Sequence, residues 1–387
     1  MEKVVVIIPT YNERGNIEPL VDILQKVFKK VPSQWEMHIL FVDDSSPDGT
    51  GEVVKEKIKK FNNIHLFTNS EKVGLGGAYM KGMNHAVYEL KADLMFEFDA
   101  DFQHDPKLIP DFLKKIEEGA DVVLGSRYMK GGSIPRYWGL LRKFLSVGGN
   151  FYIRTLMFDK NVHDWTTGYR AIRPWVFEKV KSKITELKTY TFQISFLYFA
   201  RKEGAKIAEV PLNFAERRWG ESKMPGLESM IKTFWFVTRT RILDFIHSRF
   251  FKFGIVGFTG FLVNFGFLRL FRSLGLVETL SWLFSTELAI INNYVFNNLW
   301  TFGEKRIGGV KNTIVKFLQF NLTSAGALAI QSVFGPLGVK LVGVKYDALV
   351  LAFVVICLVL PYNYLMYNLF IWKTWKLPWQ KKFVTHK

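Results

Sequence analysis

The stretch LMFEFDADFQHD, residues 94–105, joins a short apolar run to a cluster of carboxylates. LMFEF has the length and composition of a buried strand, and ligands of open α/β sheets bind beyond the carboxyl ends of the strands. Asp99 and Asp101 follow this strand two positions apart, so both carboxylates can turn toward the same side. Carboxylates suit Mg²⁺ or Mn²⁺, and such an ion neutralises a diphosphate. The stretch therefore predicts a metal and diphosphate site at a strand end.

Further apolar runs on both sides of this strand alternate with amphipathic stretches. The predicted strands are 4–8, 38–42, 64–67, 94–98 and 121–125, and the predicted helices are 16–30, 50–60, 76–90 and 106–118. Strand, helix and strand at this spacing are typical of βαβ units. We therefore predict an α/β fold with a doubly wound, mostly parallel sheet, and we expect ligands at the loops after residues 8, 42 and 98.

Composition divides the chain into a polar part and an apolar part. Residues 1–249 resemble a soluble domain, whereas residues 250–372 contain long apolar runs. The net charge of +17 fits nucleic acid, an anionic membrane surface or phosphate-bearing substrates. No zinc spacing, aromatic RNA-binding signature or basic reading helix is found, so we predict no nucleic acid partner. The single cysteine, Cys357, excludes an intramolecular disulfide and a thiol metal site.

The apolar part predicts a membrane domain. Four runs, at 251–271, 279–297, 316–337 and 347–372, are each long enough to cross the hydrocarbon core. The positions of the basic residues between and after these runs place both termini in the cytoplasm. The chain also begins with a strand pattern and without a signal peptide, which favours a cytoplasmic first domain. We therefore predict a multi-pass protein of the cell membrane with its catalytic domain in the cytoplasm.

Two features refine this division. Residues 228–250 place apolar and basic residues at helical spacing, which predicts an amphipathic helix in the membrane interface; a helix packed on the soluble domain is the alternative. Glu287, Asn292 and Asn293 lie inside the second apolar run, and polar groups at that depth often mark function. The predicted domains are residues 1–227, 228–250 and 251–387.

Two other strand ends carry candidate nucleotide ligands. The first strand leads into PTYNE at residues 9–13, and the second leads into DDSS at residues 43–46. Tyr11 is able to stack on a base, and a carboxylate is able to hold ribose hydroxyls or a base edge, although both segments also suit turns and helix caps. The glycines of KVGLGGAYMKG, residues 72–82, lack dinucleotide spacing and indicate a tight passage from strand to helix.

Taken in order, these segments resemble the family 2 glycosyltransferases and, among them, the dolichyl-phosphate mannose synthases. The resemblance rests on VVVIIPTYNE (4–13), FVDDSSPDGT (41–50), DADFQH (99–104), GSRY (125–128), YTFQI (190–194), AEVP (208–211) and GESK (220–223). INNYVFNNLWTF, residues 291–302, resembles a small four-span membrane family associated with polyprenyl-linked sugars, and this fusion is an archaeal arrangement. The resemblance implies a type A nucleotide-sugar glycosyltransferase fold with a four-helix transmembrane domain.

The resemblance also implies roles for individual residues. The implied catalytic residues are Asp99, Asp101 and Arg127. The implied ligands of a metal ion, Mg²⁺ or Mn²⁺, are Asp101 and Gln103. The implied residues that bind the acceptor phosphate are Arg127, Arg142 and Arg217. The implied nucleotide-sugar residues are Pro9, Tyr11, Glu13, Val42, Asp44, Asp99, Ala100, Asp101, Gln103, Arg127, Arg217 and Lys223.

The implied reaction transfers mannose from GDP-mannose to dolichyl or polyprenyl phosphate in a single, inverting displacement. A lipid phosphate is already anionic, so it needs charge compensation rather than a strong general base. Three alternatives stay open: a polyprenyl-phosphate glucose synthase that uses UDP-glucose, a processive polysaccharide synthase, and a non-catalytic protein that binds or transports a polyprenyl-linked sugar. RRW at 217–219 resembles part of a polysaccharide synthase element, but Ala215 occupies its glutamine position. The sequence does not indicate an oligomeric state.

Overall fold

The computed structural model describes residues 1–184, 191–215 and 226–375. The chain forms two compact units, Met1–Arg241 and Ile242–Lys387. The first unit is built on a sheet with helices on both faces, and the second unit consists of helices.

The first unit contains a seven-stranded sheet in the order β3-β2-β1-β4-β6-β5-β7. Its strands are β1 (Glu2–Thr10), β2 (Trp35–Asp43), β3 (Ile64–Thr68), β4 (Leu94–Glu97), β5 (Val122–Ser126), β6 (Arg170–Ile172) and β7 (Ile207–Pro211). Only β6 runs antiparallel to its neighbours, β4 and β5, among the described pairs. The predicted doubly wound, mostly parallel sheet is therefore confirmed.

Helices lie between the strands, and the first four agree with the predicted ones. They are α1 (Arg14–Phe28), α2 (Thr50–Lys60), α3 (Leu75–Tyr88), α4 (Ile109–Glu117), α5 (Leu140–Met157), α6 (Pro174–Val180), α7 (Thr191–Lys202) and α8 (Leu227–Ile246). α8 crosses the boundary between the two units, because the first unit ends at Arg241. The helices and strands that the sequence pattern did not predict are α5, α6, α7, β6 and β7, and β6 is only three residues long.

The sheet is buried on both faces, which explains the continuous apolar runs in its central strands. Val4, Val6 and Ile8 pack into one core with α1, whereas Val5 and Ile7 pack into the opposite core with α3. Gly82 of α3 makes this second contact close, because a Cβ there would lie 2.6 Å from Ile7 Cγ2 and 2.8 Å from Val42 Cγ2. Packing of the two cores therefore fixes the positions of the strand ends.

The second unit begins within α8 and continues with α9 (Arg249–Ser273), α10 (Glu278–Phe296), α11 (Val310–Val342), α12 (Asp347–Phe353) and α13 (Leu360–Met366). Within the described part of the chain, three helical stretches have the length and apolar composition to cross a membrane: Arg249–Ser273, Val310–Val342 and Leu349–Ile371. They correspond to the first, third and fourth predicted runs. The second predicted run forms the helix α10, which is less apolar than these three stretches. The prediction of four spans is therefore confirmed only for three of them.

Polar residues account for this property of α10. Glu287 is exposed on the helix surface rather than enclosed by the unit. Asn292 donates from Nδ2 to Thr259 Oγ1 of α9 at 3.1 Å, and Asn293 packs against Gly260, where a Cβ would clash with its amide. The two asparagines therefore face the neighbouring helix, as polar side chains at membrane depth usually do, whereas Glu287 does not.

The described part of the second unit also contains three π-helical turns, at Asn297–Thr301, Val354–Val359 and Tyr367–Ile371. Asn298, in the first of them, donates from Nδ2 to the Ile307 carbonyl at 3.0 Å. Its Oδ1 accepts from the Ile307 N–H at 2.8 Å and from Trp372 Nε1 at 3.1 Å. One neutral amide thus satisfies three polar groups where the regular helical hydrogen bonding is interrupted.

Candidate functional site

The Asp99–Ala100–Asp101 turn follows β4 and is fixed by two buried neighbours. Tyr79 of α3 donates its hydroxyl to Asp99 Oδ1 at 2.7 Å. The backbone N–H of Asp99 donates to His104 Nδ1 at 3.0 Å, and His104 Nε2 lies 3.6 Å from Asp99 Oδ2. Because Nδ1 accepts a hydrogen bond, the ring carries its proton on Nε2, facing the carboxylate.

His104 is neutral in this arrangement. Burial lowers the pKa of His104 to about 4, against the opposite influence of Asp101. Its ring stacks on Tyr169 with centroids 4.9 Å apart and meets Phe98 edge to face at 5.5 Å. The ring therefore shapes the turn by packing and hydrogen bonding rather than by its charge.

Asp101 and Gln103 lie together at the end of this turn. Asp101 is 3% exposed and its Oδ1 accepts the Gln103 N–H at 3.0 Å. Gln103 Nε2 donates to the Ala215 carbonyl at 3.4 Å, and this bond sets the orientation of the side-chain amide. Phe102, between them, has a φ of 64°, in the left-handed region that makes so tight a turn possible. The Asp101 carboxylate and the Gln103 amide, two side chains with hard oxygens, thus belong to the same tight turn.

The end of β2 is held by two aspartates with different partners. Asp43 accepts from the Thr10 hydroxyl at 2.9 Å and from the Ser46 N–H at 2.9 Å, so it ties β1 to the following turn. Asp44 accepts from Asn69 Nδ2 at 2.7 Å and from the N–H groups of residues 73 and 74, both at 3.1 Å. The Asp44 carboxylate therefore holds the loop that precedes α3, a function not foreseen from the sequence.

The residues after β1 remain accessible. The Tyr11 ring is 39% exposed, and Lys72 Nζ lies 3.5 Å from its centroid. Glu13 caps α1 without a side-chain cap bond; its N–H donates to Thr50 Oγ1 and its Oε2 accepts from Asn16 Nδ2. One face of the Tyr11 ring thus contacts the Lys72 ammonium in a cation–π interaction.

A buried charge cluster lies directly beneath the Asp99 turn. Glu97 and Arg170 are both fully buried, with Glu97 Oε2 3.7 Å from Arg170 Nε. Burial raises the pKa of Glu97 to about 7, although the charge of Arg170 favours its ionised form. Arg170 also donates to the carbonyls of Thr167 and Gln193, each at 2.9 Å. The cluster connects β4, β6 and α7 behind the candidate site.

Arg127, directly after β5, is held by a carboxylate. Its Nε donates to Asp164 Oδ2 at 2.7 Å and its Nη2 donates to Asp164 Oδ1 at 2.8 Å, while its backbone N–H also reaches Oδ2 at 3.1 Å. Burial opposes ionisation of Asp164, but Arg127 outweighs it and lowers the pKa of that carboxyl below its ordinary value. This is a bidentate ion pair within the protein.

A cavity of about 530 Å³ opens beside this pair. Gln103, Arg127 and Arg142 line it together with apolar side chains from α5 and α8. Arg142 lies over the Trp138 ring with its Cζ 3.9 Å from the centroid. One cavity thus joins the Asp101–Gln103 turn, two guanidinium groups and an apolar wall.

The structure brings together most of the predicted site residues that it describes. Pro9, Tyr11, Glu13, Val42 and Asp44 belong to the ends of β1 and β2, with Val42 itself in the core. Asp99, Ala100, Asp101 and Gln103 form the turn after β4, and Arg127 and Arg142 face the cavity. Arg217 and Lys223 lie outside the described residues. No role assigned to an individual residue is tested by the fold alone, so these roles stay predictions.

Sequence reasoning missed the residues that hold the site. Tyr79, His104, Trp138, Asp164 and Thr166 all contact a predicted ligand residue. Asp164 and Thr166 lie in the polar stretch 163–173, and the composition of this stretch does not identify their partners. In the sequence, Tyr79 and Trp138 look like ordinary core residues. Only their contacts in the structure, with Asp99 and Arg142, connect them to the site.

Comparisons with known proteins agree with this geometry. Residues 5–181 match Glycosyl transferase family 2, and residues 252–372 match the GtrA/DPMS transmembrane domain. A dolichol-phosphate mannosyltransferase of Pyrococcus furiosus is 34% identical over 316 residues, covering 81% of this chain and 85% of that protein. A polyprenol monophosphomannose synthase of Mycolicibacterium smegmatis is 40% identical over 226 residues, covering 58% of this chain and 82% of that protein.

Among solved structures, a glucosyl-3-phosphoglycerate synthase of Mycobacterium tuberculosis, in complex with Mn²⁺, uridine diphosphate and phosphoglyceric acid, is 17% identical. It aligns with a TM-score of 0.42 and covers 63% of this chain and 78% of that chain. The sequence relatives carry the assignment, because one of them extends over both units. The chain is a family 2 glycosyltransferase with a GtrA/DPMS transmembrane domain, and it belongs to the dolichol-phosphate mannosyltransferase family.

Proposed function

We propose that this protein transfers mannose from GDP-mannose to dolichyl or polyprenyl phosphate in a single displacement that inverts the anomeric centre. The observation that carries the proposal is the cavity shared by Gln103, Arg127 and Arg142, because it combines a polar turn, paired cations and an apolar wall. A polyprenyl phosphate has the same combination of an anionic head and an apolar chain. The named relatives act on dolichol and polyprenol phosphates, which supports the same acceptor here.

In this proposal the donor lies along the ends of β1, β2 and β4. Tyr11, Glu13 and Asp44 surround the nucleoside, and Asp99 faces the diphosphate or the sugar. The other proposed donor residues are Pro9, Val42, Ala100, Asp101, Gln103, Arg127, Arg217 and Lys223. Strand ends on one edge of a largely parallel sheet are where ligands of this fold class bind.

The proposed metal site consists of Asp101 and Gln103 and would hold Mg²⁺ or Mn²⁺. A buried carboxylate and an amide oxygen are hard ligands that suit either ion. No cluster of three or more His, Cys, Asp or Glu side chains suited to a metal occurs among the described residues. The fit is therefore to an ion that takes further oxygens from diphosphate and water, as Mg²⁺ commonly does. When bound, it would neutralise charge on the leaving diphosphate.

The protein's contribution to the acceptor is charge compensation and orientation. Arg127 and Arg142, with Arg217 from outside the described residues, are proposed to hold the lipid phosphate beside the donor. The phosphate is anionic at neutral pH and needs no general base, so positioning and electrostatic stabilisation supply most of the rate enhancement.

Exposed apolar faces favour a lipid acceptor. On α5, Leu140, Phe144 and Phe151 are 86%, 73% and 69% exposed. On α8, Ile231 and Trp235 are 59% and 63% exposed. Faces of this kind are costly in water and suit the headgroup region of a bilayer.

The domain assignment belongs to the same proposal. Residues 1–227 would contain the chemical site, residues 228–250 would lie in the interface, and residues 251–387 would anchor the protein in the cell membrane. The catalytic domain and both termini would be cytoplasmic. Every proposed ligand precedes residue 224, and the membrane anchor would raise the effective concentration of the lipid acceptor.

The test is a matched transfer assay on the purified protein in detergent, with GDP-mannose or UDP-glucose as donor and polyprenyl phosphate as acceptor, with Mn²⁺ or EDTA. Transfer from GDP-mannose that EDTA abolishes is the expected result. Transfer only from UDP-glucose would make the protein a glucose synthase. Donor binding without any transfer would indicate a protein that binds or transports lipid-linked sugar.

A further inference from the structure

The two arginines of the cavity are held by neighbours of different chemistry. Arg127 commits the guanidinium edge that bears Nε and Nη2 to Asp164, at 2.7 and 2.8 Å. Nη2 also donates to Thr166 Oγ1 at 2.7 Å. The fork of Arg127, which the sequence alone would offer to a phosphate, is therefore used within the protein, and the guanidinium that it fixes lines the cavity.

Asp164 is itself built into the fold. It is 0% exposed, and its N–H donates to Glu209 Oε1 of β7 at 3.1 Å. The neighbouring His163 N–H donates to the same oxygen at 2.7 Å. The carboxylate that orients Arg127 is thus anchored to a strand of the sheet, and rigid support of this kind favours precise placement of a binding group.

Arg142 is held by an aromatic ring instead. Its Cζ lies 3.9 Å from the Trp138 centroid, and Trp138 is only 8% exposed. Phe214 meets Trp138 edge to face at 6.0 Å and also lies 5.2 Å from Arg127 Cζ. A guanidinium held over a ring face directs its N–H groups outward in its own plane, where an anion can accept hydrogen bonds from them.

We propose that Asp164 and Trp138 are positioning residues that fix Arg127 and Arg142 to receive one phosphate between them. This inference rests on the proposed function, because it takes the lipid phosphate as the ligand of the two arginines. An orienting carboxylate and an orienting ring lower the entropic cost of fixing two long side chains when the ligand binds. Neither residue has to touch the phosphate itself.

The experiment measures binding of farnesyl phosphate and of farnesol to the full chain in detergent by calorimetry. The ratio of the two affinities isolates recognition of the phosphate from that of the apolar chain. GDP-mannose binding in the presence of Mn²⁺ is measured in parallel, so that recognition of the acceptor phosphate is separated from recognition of the donor diphosphate.

The variants are Asp164→Asn and Trp138→Leu, each with a matched control. Asp159 also pairs with an arginine, Arg201 Nε, at 2.6 Å, and its side chain is nearly buried, so Asp159→Asn removes a comparable ion pair away from the cavity. Trp175→Leu removes an exposed ring away from the cavity. We expect about a tenfold loss of phosphate preference in Asp164→Asn and about threefold in Trp138→Leu.

In both variants the farnesol affinity should stay within about twofold of wild type. The GDP-mannose affinity should also do so in Trp138→Leu, because Arg142 is not a proposed donor residue, and both controls should keep the full phosphate preference. An unchanged preference in Asp164→Asn, or a loss confined to GDP-mannose, would overturn the positioning role while leaving the proposed function standing. A wild-type protein that binds farnesol as tightly as farnesyl phosphate would overturn the proposed acceptor site and the inference together.

A second variant covers failure of Asp164→Asn to fold. Thr166→Val keeps the volume of the side chain and removes only the hydroxyl that accepts from Arg127 Nη2. It should reduce the phosphate preference by about threefold. An unchanged preference in Thr166→Val, in a protein that melts as wild type does, would also count against the positioning network.

Discussion

The two units bury polar side chains for different purposes. The first unit buries charged pairs, Glu97 with Arg170 and Asp164 with Arg127, at or behind the ends of strands. Among the described residues of the second unit the buried polar side chains are uncharged, and two of them, Asn298 and Asn368, bond to backbone and indole groups in π-helical turns. Buried charge carries a large desolvation cost and tends to mark function, whereas a satisfied amide maintains structure.

The largest expected effect tests the first half of this comparison. Asp101→Asn should lower kcat by about 10³-fold or more, or about 4 kcal/mol, because a metal ligand and its charge are lost. The melting temperature should change little, since the side chain keeps its size and its acceptor for the Gln103 N–H. Transfer kinetics and thermal unfolding check both parts, and near-normal activity would refute a metal role for this residue.

The next effect compares the two arginines. Arg127→Lys should lower kcat/KM by about ten- to hundredfold, because lysine cannot reproduce a fork bonded to Asp164. Arg142→Lys should lower it by less than about tenfold, because an ammonium still stacks on the Trp138 ring. Steady-state kinetics in lipid acceptor and in donor measure the difference. Equal losses in the two variants would contradict the distinction between them.

Asn298 tests the second half of the comparison. Asn298→Ala leaves Ile307 N–H, Ile307 C=O and Trp372 Nε1 without their shared partner. We expect a loss of about 2–3 kcal/mol in the stability of the second unit, because unsatisfied buried polar groups are costly. Unfolding in detergent measures it. Transfer to a short soluble acceptor should keep its wild-type kcat, and a large drop there would give the second unit a part in catalysis.

The smallest effect concerns Glu287, the exposed acid of α10. Glu287→Gln should change the free energy of unfolding by less than about 0.5 kcal/mol and the rate of transfer to a short acceptor by less than about twofold. Substitutions at exposed positions away from a site usually have effects of this size. Melting curves and initial rates suffice as measurements. Loss of transfer in this variant would show that the Glu287 carboxylate takes part in function. Functional charges would then occur in both units, and the proposed difference between the units would be wrong.

Local pattern was enough to predict much of the molecule. The five predicted strands and the helices between them are present within a few residues, because burial on both faces of a parallel sheet leaves a continuous apolar run in the sequence. The Asp99 turn was predicted because it directly follows one of these apolar runs. Apolar length located the membrane helices, but it overestimated α10, where Glu287 and two asparagines lower the apolarity.

What the sequence determined by itself is the order of strands and helices, the strand end that carries the carboxylates, and the presence of a membrane domain, since each depends on residues close together in the chain. Tertiary structure alone decided the antiparallel insertion of β6 and the partners of the charged groups. With 52 Lys and Arg and 35 Asp and Glu, the sequence cannot select the pair Arg127 and Asp164, which lie 37 positions apart. Such pairs form only where the packing of distant segments excludes water and makes an unpaired charge too costly to bury.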